Sequence, residues 1–301
     1  MTHRRLVWLG LLLAALLGGC AAPQNCALVP LASMPLELSH NLLVVTVGIN
    51  GKPARLVVDT GAERTTLTEA AVRRLGLGHA RYQSVSSGIG GFSTSQDALV
   101  PGIVLGGTRF PVEHVTVGRF TLPDMFDGPV DGLLGADILL AFDLDLDIPD
   151  RRLTFYRVRH CALALPPWPA AEIAGVTARR DRMLVPIAVN DTAGLALLDT
   201  GSQGSGISQA MAERAGVTRA ELAEDPTITV HGAAPNPVRV PVQRFRSVTV
   251  AGEPMLYPRL AVVPDSIGLG DGLVGADFIR SRRMWISFPT LHLFIAAAPG
   301  A

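Results

Sequence analysis

The sequence is poor in several features that mark common binding functions. Only 5% of its 301 residues are aromatic, so rows of rings that would stack on bases or sugars are not indicated. Lys and Arg number 26, as do Asp and Glu, and this net charge of +0 argues against a nucleic-acid partner. The seven His are scattered, without partners at metal-ligand spacing. The sequence therefore predicts neither a metal nor another cofactor.

Cysteine is also scarce, with three residues in the chain. Cys20 belongs to the N-terminal segment discussed below. Cys26 and Cys161 could form a disulfide in an oxidising compartment, or they could remain two free thiols. The sequence leaves both possibilities open.

Apolar residues and turn formers are abundant. Apolar residues make up 48% of the chain and charged residues 17%, which is enough to bury a sizeable core and excludes global disorder. The 31 Gly and 22 Pro lie between many short runs of Val, Leu and Ile. This pattern favours a β-rich fold over a helical bundle.

The first residues have the pattern of an export signal. A short positive segment precedes the apolar run 6–17, which is too short to span a bilayer comfortably, and small residues follow. Because Cys20 comes directly after two glycines, the segment resembles a bacterial lipoprotein signal. That resemblance implies removal of residues 1–19 and lipid attachment to the Cys20 thiol. The alternative is an ordinary secretory signal with an incidental Cys.

The lipoprotein interpretation also implies a location. The protein would be lipid-anchored in the bacterial cell envelope and would face the periplasm. Ala21 rather than Asp follows the cysteine, which favours the outer membrane over the inner. Residues 20–35 show no periodic pattern and contain three prolines, so we expect a tether there.

Two short motifs each occur twice at one fixed spacing. One apolar run ends in Asp59-Thr60-Gly61 and another in Asp199-Thr200-Gly201, and the two aspartates lie 199 − 59 = 140 residues apart. A seven-residue motif beginning at Asp131 returns at Asp271 with one substitution and the same offset. A period this long indicates a duplicated domain rather than a solenoid.

The same offset divides the chain. Each half begins with a strand, a hairpin turn and a second strand that ends at the aspartate, and a short helix follows. We expect an N-terminal lobe over 36–157, a Pro-rich linker over 158–175 and a C-terminal lobe over 176–297. A polar, Gly-rich stretch over 81–96 is typical of a mobile hairpin or of an ordinary exposed loop.

The chemistry follows from pairing the two aspartates. A single Asp-Thr-Gly is usually a structural turn, but two copies in matching repeats predict two carboxylates that face each other. Like charges at about 3 Å cannot both ionise cheaply, so the pair shares one proton. Its ionised member can take a proton from water while its protonated member binds a substrate carbonyl. Such a pair can hydrolyse an amide.

With Leu133-Leu134-Gly135, the stretch Val58-Asp59-Thr60-Gly61-Ala62 resembles the aspartic proteases, above all the retroviral-type (retropepsin-like) fold. The resemblance implies a mostly β protein of two tandem retropepsin-like β-barrel lobes related by pseudo-twofold symmetry, each with a short helix. It also implies these roles: catalytic carboxylates Asp59 and Asp199; loop support by Thr60, Gly61, Thr200, Gly201 and Ser202; flap residues Gly88, Ile89, Gly90, Gly91 and Gly232.

The function expected from this resemblance is that of an aspartic endopeptidase acting on polypeptides as a monomer. Two other interpretations remain: a non-catalytic lipoprotein that holds peptides in a protease-like cleft, and tandem lobes that do not face each other and need dimerisation. Two departures stand out. Glu63-Arg64 replaces a small residue, and residues 202–206 are unusually Gly-rich.

Overall fold

A computed structural model describes most of the chain outside the N-terminal segment. The described residues are 27–118, 129–159, 163–173, 177–179, 182–232, 236–256, 258–265 and 270–296. The expected signal 1–19, Cys20, Cys26 and Cys161 therefore lie outside the described residues. No helix within these ranges is long and apolar enough to cross a bilayer.

The described residues of the first half of the chain form thirteen strands and two helices. These are β1 (Ala27–Pro35), β2 (Glu37–Ser39), β3 (Leu42–Ile49), β4 (Lys52–Val58), β5 (Thr66–Thr68), α1 (Glu69–Leu75), β6 (His79–Gly88), β7 (Gly91–Leu99), β8 (Ile103–Leu105), β9 (Thr108–Phe110), β10 (His114–Gly118), β11 (Gly132–Leu134), α2 (Ala136–Leu139), β12 (Asp143–Asp147) and β13 (Arg152–Arg159).

The second half repeats this order with one additional helix. Its elements are β14 (Ala170–Ile173), β15 (Thr177–Arg179), β16 (Arg182–Val189), β17 (Thr192–Leu198), β18 (Gly206–Ser208), α3 (Gln209–Arg214), α4 (Arg219–Glu224), β19 (Thr227–Val230), β20 (Val238–Arg244), β21 (Val248–Val250), β22 (Glu253–Pro254), β23 (Arg259–Val263), β24 (Gly272–Val274), α5 (Ala276–Ile279), β25 (Arg283–Ser287) and β26 (His292–Ala296).

Each lobe is built on a ten-stranded sheet, and the two sheets have the same strand order. The first runs β6-β7-β10-β5-β11-β4-β3-β8-β9, with β2 paired to β3. The second runs β19-β20-β23-β18-β24-β17-β16-β21-β22, with β15 paired to β16. This correspondence confirms the expected mostly β fold of two repeated lobes. A short helix follows β5 in the first lobe and β18 in the second.

A third sheet of six strands joins the lobes. Its order is β1-β13-β12-β25-β26-β14, so each half of the chain contributes three strands. The lobes meet where β12 pairs antiparallel with β25, with Asp143 opposite Ser287 and Asp147 opposite Arg283. Apolar side chains of both lobes form one continuous buried cluster. The sheet therefore holds the lobes in a fixed register.

The local sequence accounts for the elements that position the site. Asn50 and Gly51 have φ of 50° and 72°, which a tight two-residue hairpin between β3 and β4 requires. Thr68 caps α1 by accepting a hydrogen bond from the Ala71 amide, and Gly76 ends that helix in the left-handed region. Ser208 caps α3 in the same way.

Two segments differ from the expected division of the chain. Residues 27–35, assigned to the tether, form edge strand β1, in which Ala32 and Met34 are buried. The strand accommodates its prolines because it lies at the sheet edge and its register shifts between Pro30 and Ala32. The expected linker likewise contains β14, which pairs with β26. Both segments are edge strands, where proline is tolerated, so their sequences resemble a tether and a linker.

Candidate active site between the lobes

The two Asp-Thr-Gly loops follow central strands of the two lobe sheets. β4 pairs in parallel with β11, and the Asp59 amide donates to the Leu134 carbonyl at 3.0 Å. β17 pairs in parallel with β24, and the Asp199 amide donates to the Val274 carbonyl at 2.9 Å. The Leu-Leu-Gly and Leu-Val-Gly strands thus lie beside the loops, as the sequence predicts.

The threonines of the two loops bond reciprocally across the lobe interface. Thr60 Oγ1 donates to the Leu198 carbonyl and Thr200 Oγ1 to the Val58 carbonyl, both at 2.6 Å. Each hydroxyl also accepts from the opposite threonine amide, at 3.0 and 3.1 Å. Both threonines are fully buried. The four bonds join the two loops into one rigid unit.

The two aspartates meet at this junction and hydrogen bond to each other. Asp59 Oδ1 accepts from the amides of Gly61 and Ala62, and Asp199 Oδ1 accepts from the Gly201 amide, each at 2.9 Å. Because the carboxyls of the two lobes meet, the lobes face each other within one chain, and the alternative of lobes that do not face each other is not what the structure contains.

Glycine is required on each side of the pair. A Cβ on Gly61 would lie 2.5 Å from Asp199 Cγ, and one on Gly201 would lie 2.2 Å from Asp59 Cγ. Each loop therefore presents bare backbone to the carboxyl of the other lobe. The duplicated motif needs glycine in both copies for the carboxyls to approach.

The electrostatics of the pair favour retention of a proton. Burial raises the pKa of Asp59, against the hydrogen bonds from Ala62 and Gly61. Burial raises the pKa of Asp199 well above its ordinary value, and the adjacent Asp59 charge raises it further. The pair titrates as one unit, so its pKa values belong to both carboxyls together. Asp59 Oδ1 accepts two backbone amides, which places this oxygen well to carry the negative charge. One ionised and one protonated carboxyl therefore coexist above the usual carboxyl range.

A second set of hydrogen bonds, each to an aspartate of a short helix, supports each loop. Asp137 Oδ1 accepts from the Thr65 amide at 2.8 Å and from its hydroxyl at 2.7 Å. In the other lobe Ser205 donates to Asp277 from its amide at 2.9 Å and from its hydroxyl at 2.6 Å. Ser205 thus orders the Gly-rich loop after Gly201, which the sequence alone suggested to be loose.

A partly exposed ion pair lies behind each loop. Arg74 contacts Asp131 at 2.6 Å, and Arg214 contacts Asp271 at 2.6 Å. All four residues recur at the 140-residue offset, and that shared offset was the sequence signal from which these pairs could have been found.

The predicted flaps are hairpins whose tips touch. β6 and β7 form the first flap, with Gly88 opposite Gly91 and Ile89 and Gly90 in the turn. β19 and β20 form the second, shorter flap. A Cβ on Gly232 would lie 2.5 Å from Ile89 Cβ, and Asn236 Nδ2 donates to the Gly90 carbonyl at 3.4 Å. The flap residues of the two lobes therefore come together.

One arginine links the first loop to its flap, and sequence reasoning missed this role. Arg64 donates to Ser84 Oγ on β6 at 2.7 Å and to Asp97 Oδ2 on β7 at 2.9 Å. Sequence analysis singled out Arg64 only as a departure, because its partners lie 20 and 33 residues away in a segment of uncertain structure. At the same offset the second lobe has Gly204, which cannot form such a link.

The described residues do not contain a group of three or more His, Cys, Asp and Glu side chains that could share a metal ion. Paired carboxyls of unequal acidity can donate and accept protons in one step.

Comparison with known proteins agrees with the geometry. A family model described as "Aspartyl protease" matches the chain twice, over residues 45–138 and 185–278. These ranges contain both Asp-Thr-Gly loops and cover more than half of the chain. The two matches keep the 140-residue offset, so the internal duplication is confirmed.

Two individual proteins show similarity of different kinds. DNA damage-inducible protein 1 of Eremothecium gossypii is 29% identical over 141 residues, which cover 45% of this chain and 26% of that protein. The chain thus matches about a quarter of that relative's length. The crystal structure of an aspartic proteinase from Irpex lacteus has a TM-score of 0.51 at 14% identity, covering 90% of this chain and 98% of the other. That likeness concerns the fold.

Proposed function

The chain belongs to the aspartyl protease family, and we propose that it is an aspartic endopeptidase whose water is activated between Asp59 and Asp199. The observation that carries this proposal is the hydrogen-bonded carboxyl pair, one from each lobe, with raised pKa values. Two aspartates that served only to stabilise their own turns would not need bare glycine backbone against the carboxyl of the opposite lobe.

The proposed reaction uses the difference in acidity within the pair. Asp59, held as a carboxylate by the amides of Gly61 and Ala62, takes a proton from water as that water attacks the scissile carbonyl carbon. Asp199 donates its proton to the carbonyl oxygen, which yields a tetrahedral diol. Asp59 then donates its proton to the leaving nitrogen while Asp199 takes a proton back from one diol hydroxyl. The C–N bond breaks, a carboxylic acid and an amine form, and the pair returns to an ionised Asp59 and a protonated Asp199. Neither carboxyl acts alone.

The flaps have a separate role in this proposal. Hairpins that meet at Ile89 and Gly232 would lie across an extended peptide and exclude bulk water from the carboxyls. We expect apolar residues on both sides of the scissile bond, because apolar side chains dominate the strands around the loops. Activity would reside in a monomer, since one chain supplies both carboxyls.

The decisive test is replacement of each aspartate separately. Asp59→Asn and Asp199→Asn should each reduce cleavage of a denatured protein substrate by at least about 100-fold, because each removes one proton-transfer group. Circular dichroism and thermal melting should show that both variants remain folded. Asp191→Asn is the matched control, since that side chain is 84% exposed on a turn, and its activity should equal that of the wild type.

Two results would contradict the proposal. Retained cleavage in either variant would exclude the carboxyl pair as the catalytic group. A wild-type protein that binds peptides without cleaving them would instead identify the non-catalytic peptide-binding lipoprotein. A digest of a peptide library by the full-length protein, with and without a statine-type inhibitor, separates these outcomes and defines the cleavage preference.

We also propose a location from the N-terminal pattern. Removal of residues 1–19 and lipid attachment at Cys20 would anchor the protein in the bacterial envelope, facing the periplasm and in the outer membrane rather than the inner. Because β1 begins at Ala27, the lobes would lie within roughly 25 Å of the anchor. Mass spectrometry of the mature N-terminus tests this, and Cys20→Ala should release the protein from membranes.

A further inference from the structure

We propose that Arg64 is a positioning residue that ties the first flap to the first Asp-Thr-Gly loop, so that this flap is held and the second is freer. The inference rests on the proposed endopeptidase function for its consequence, but its physical basis is separate. Arg64 lies five residues after Asp59, and it reaches both strands of the flap hairpin at once.

The contacts form a fork. One guanidinium nitrogen of Arg64 donates to Ser84 on β6 and the other to Asp97 on β7. The planar guanidinium fixes both distances together, so the base of the hairpin cannot rotate about either strand without breaking a bond. An ordinary surface ion pair would leave that rotation free, because it contacts one strand only.

Asp97 makes the link strong. Its side chain is fully buried, whereas Arg64 is partly exposed. Asp97 Oδ1 has no hydrogen-bond partner among the described residues, and neither has Thr116 Oγ1 on the adjacent strand β10. Arg64 therefore supplies the positive charge opposite the buried Asp97 carboxylate, whose other oxygen lacks a hydrogen-bond partner among the described residues. Leaving a buried charge unpaired is unfavourable, so the base of the flap hairpin stays bound to Arg64 through Asp97.

The equivalent position of the second lobe cannot make this attachment, because it lacks a side chain. Gly204 takes the place of Arg64, and a Cβ there would meet only Asp277 Oδ2, at 3.9 Å. Packing therefore does not exclude a side chain at this position. The second flap is also shorter, with strands of 4 and 7 residues against 10 and 9 in the first. The molecule thus combines one long flap that Arg64 bonds to its loop with one short flap that lacks the equivalent bond from position 204.

Amide hydrogen exchange tests the tie without reference to activity. In Arg64→Ala, amides of residues 84–96 should exchange about tenfold faster than in the wild type, while those of 227–232 should not change. Arg73→Ala, which removes an exposed guanidinium of the same lobe, is the matched control and should leave both regions unchanged. Unaltered flap exchange in folded Arg64→Ala would overturn the inference.

Two further variants separate positioning from simple charge compensation. Arg64→Ala/Asp97→Asn removes the unpaired buried charge and should recover the melting temperature, yet the flap should remain fast in exchange. Arg64→Lys keeps the charge but cannot fork, so it should recover the melting temperature and only part of the flap protection. Recovery of flap protection in the double variant would show that Arg64 merely neutralises Asp97.

Kinetics give the functional consequence. Arg64→Ala/Asp97→Asn should lower kcat/KM for a peptide substrate about 10- to 100-fold, mainly through KM, because the untied flap no longer orients the bound peptide. Wild-type kinetics in that variant would overturn the inference. If the wild-type protein does not cleave peptides at all, the proposed function fails, and the exchange measurements still decide the role of Arg64.

Discussion

At the scale of single residues, the threonine exchange between the loops is the most constrained feature. Thr60 and Thr200 are fully buried, and each hydroxyl donates one bond and accepts another across the interface. Removing one hydroxyl therefore leaves a carbonyl and an amide of the other lobe without partners. Unsatisfied buried groups of this kind are costly.

This arrangement predicts the effect of an isosteric substitution. Thr200→Val should lower the free energy of unfolding by about 2–4 kcal/mol, because the Val58 carbonyl and the Thr60 amide each lose a bond worth about 1–3 kcal/mol when buried. Urea unfolding measures the loss. Thr200→Ser keeps the hydroxyl and should lose less than half as much. Equal losses in the two variants would show that the methyl group contributes as much as the hydrogen bonds.

Residue patterns also show what sequence can and cannot reveal. The aspartates, threonines and glycines of both loops could be predicted because they recur at one offset and their chemistry needs a pair. Arg64 could not be assigned, because its value depends on Ser84 and Asp97, which come near it only when the flap folds back. A contact between one loop and one hairpin leaves no periodic trace in the sequence.

At the scale of elements, strands and helices with strong local signals were predicted well. The Asn50-Gly51 turn and the caps of α1 determine those elements through local backbone chemistry. Helix α4 was missed although Thr218 and Glu221 form a capping box. Edge strands β1 and β14 were missed because their stability comes from pairing with β13 and β26, which are distant in sequence.

The six-stranded sheet between the lobes contains a buried titratable side chain, Asp143. On β12, burial raises the pKa of Asp143 to about 6, against the hydrogen bond from Ser287 on β25. An unfolded Asp has a pKa near about 3.9, so between about pH 4 and 6 the folded state binds more protons. The free energy of unfolding therefore falls as pH rises through that window.

Replacing this carboxyl tests the sign. Asp143→Asn cannot ionise, so it should be more stable than the wild type at pH 7.5 by about 2 kcal/mol, and the difference should vanish near pH 4. Urea unfolding at the two pH values measures it. A wild-type protein whose stability rose relative to Asp143→Asn between these pH values would contradict the assigned direction.

At the scale of the whole molecule, one chain supplies both halves of the site. β12 and β25 pair within the chain, and the threonine bonds cross between lobes of the same chain. Assembly of the carboxyl pair therefore does not depend on protein concentration. Specific activity should stay constant from about 1 nM to about 10 µM, whereas an enzyme assembled from two chains would lose activity on dilution.

Measuring initial rates across that range, with light scattering at the upper end, checks this expectation. A Gln203→Ala variant, which removes the hydrogen bond from Gln203 Nε2 to the His40 carbonyl, provides a reference for small changes in lobe packing. Loss of specific activity on dilution would show that a second chain is required, in conflict with the monomeric site proposed above.

The difference between Arg64 and Gly204 has a consequence for how such a protein can evolve. In an assembly of two identical chains, every substitution appears in both halves, so a tied flap on one side forces a tied flap on the other. Once both halves are encoded in one chain, each position 140 residues apart can change by itself. Arg64 and Gly204 differ at one such pair of positions, so only the first lobe has an arginine there that can bond to its flap.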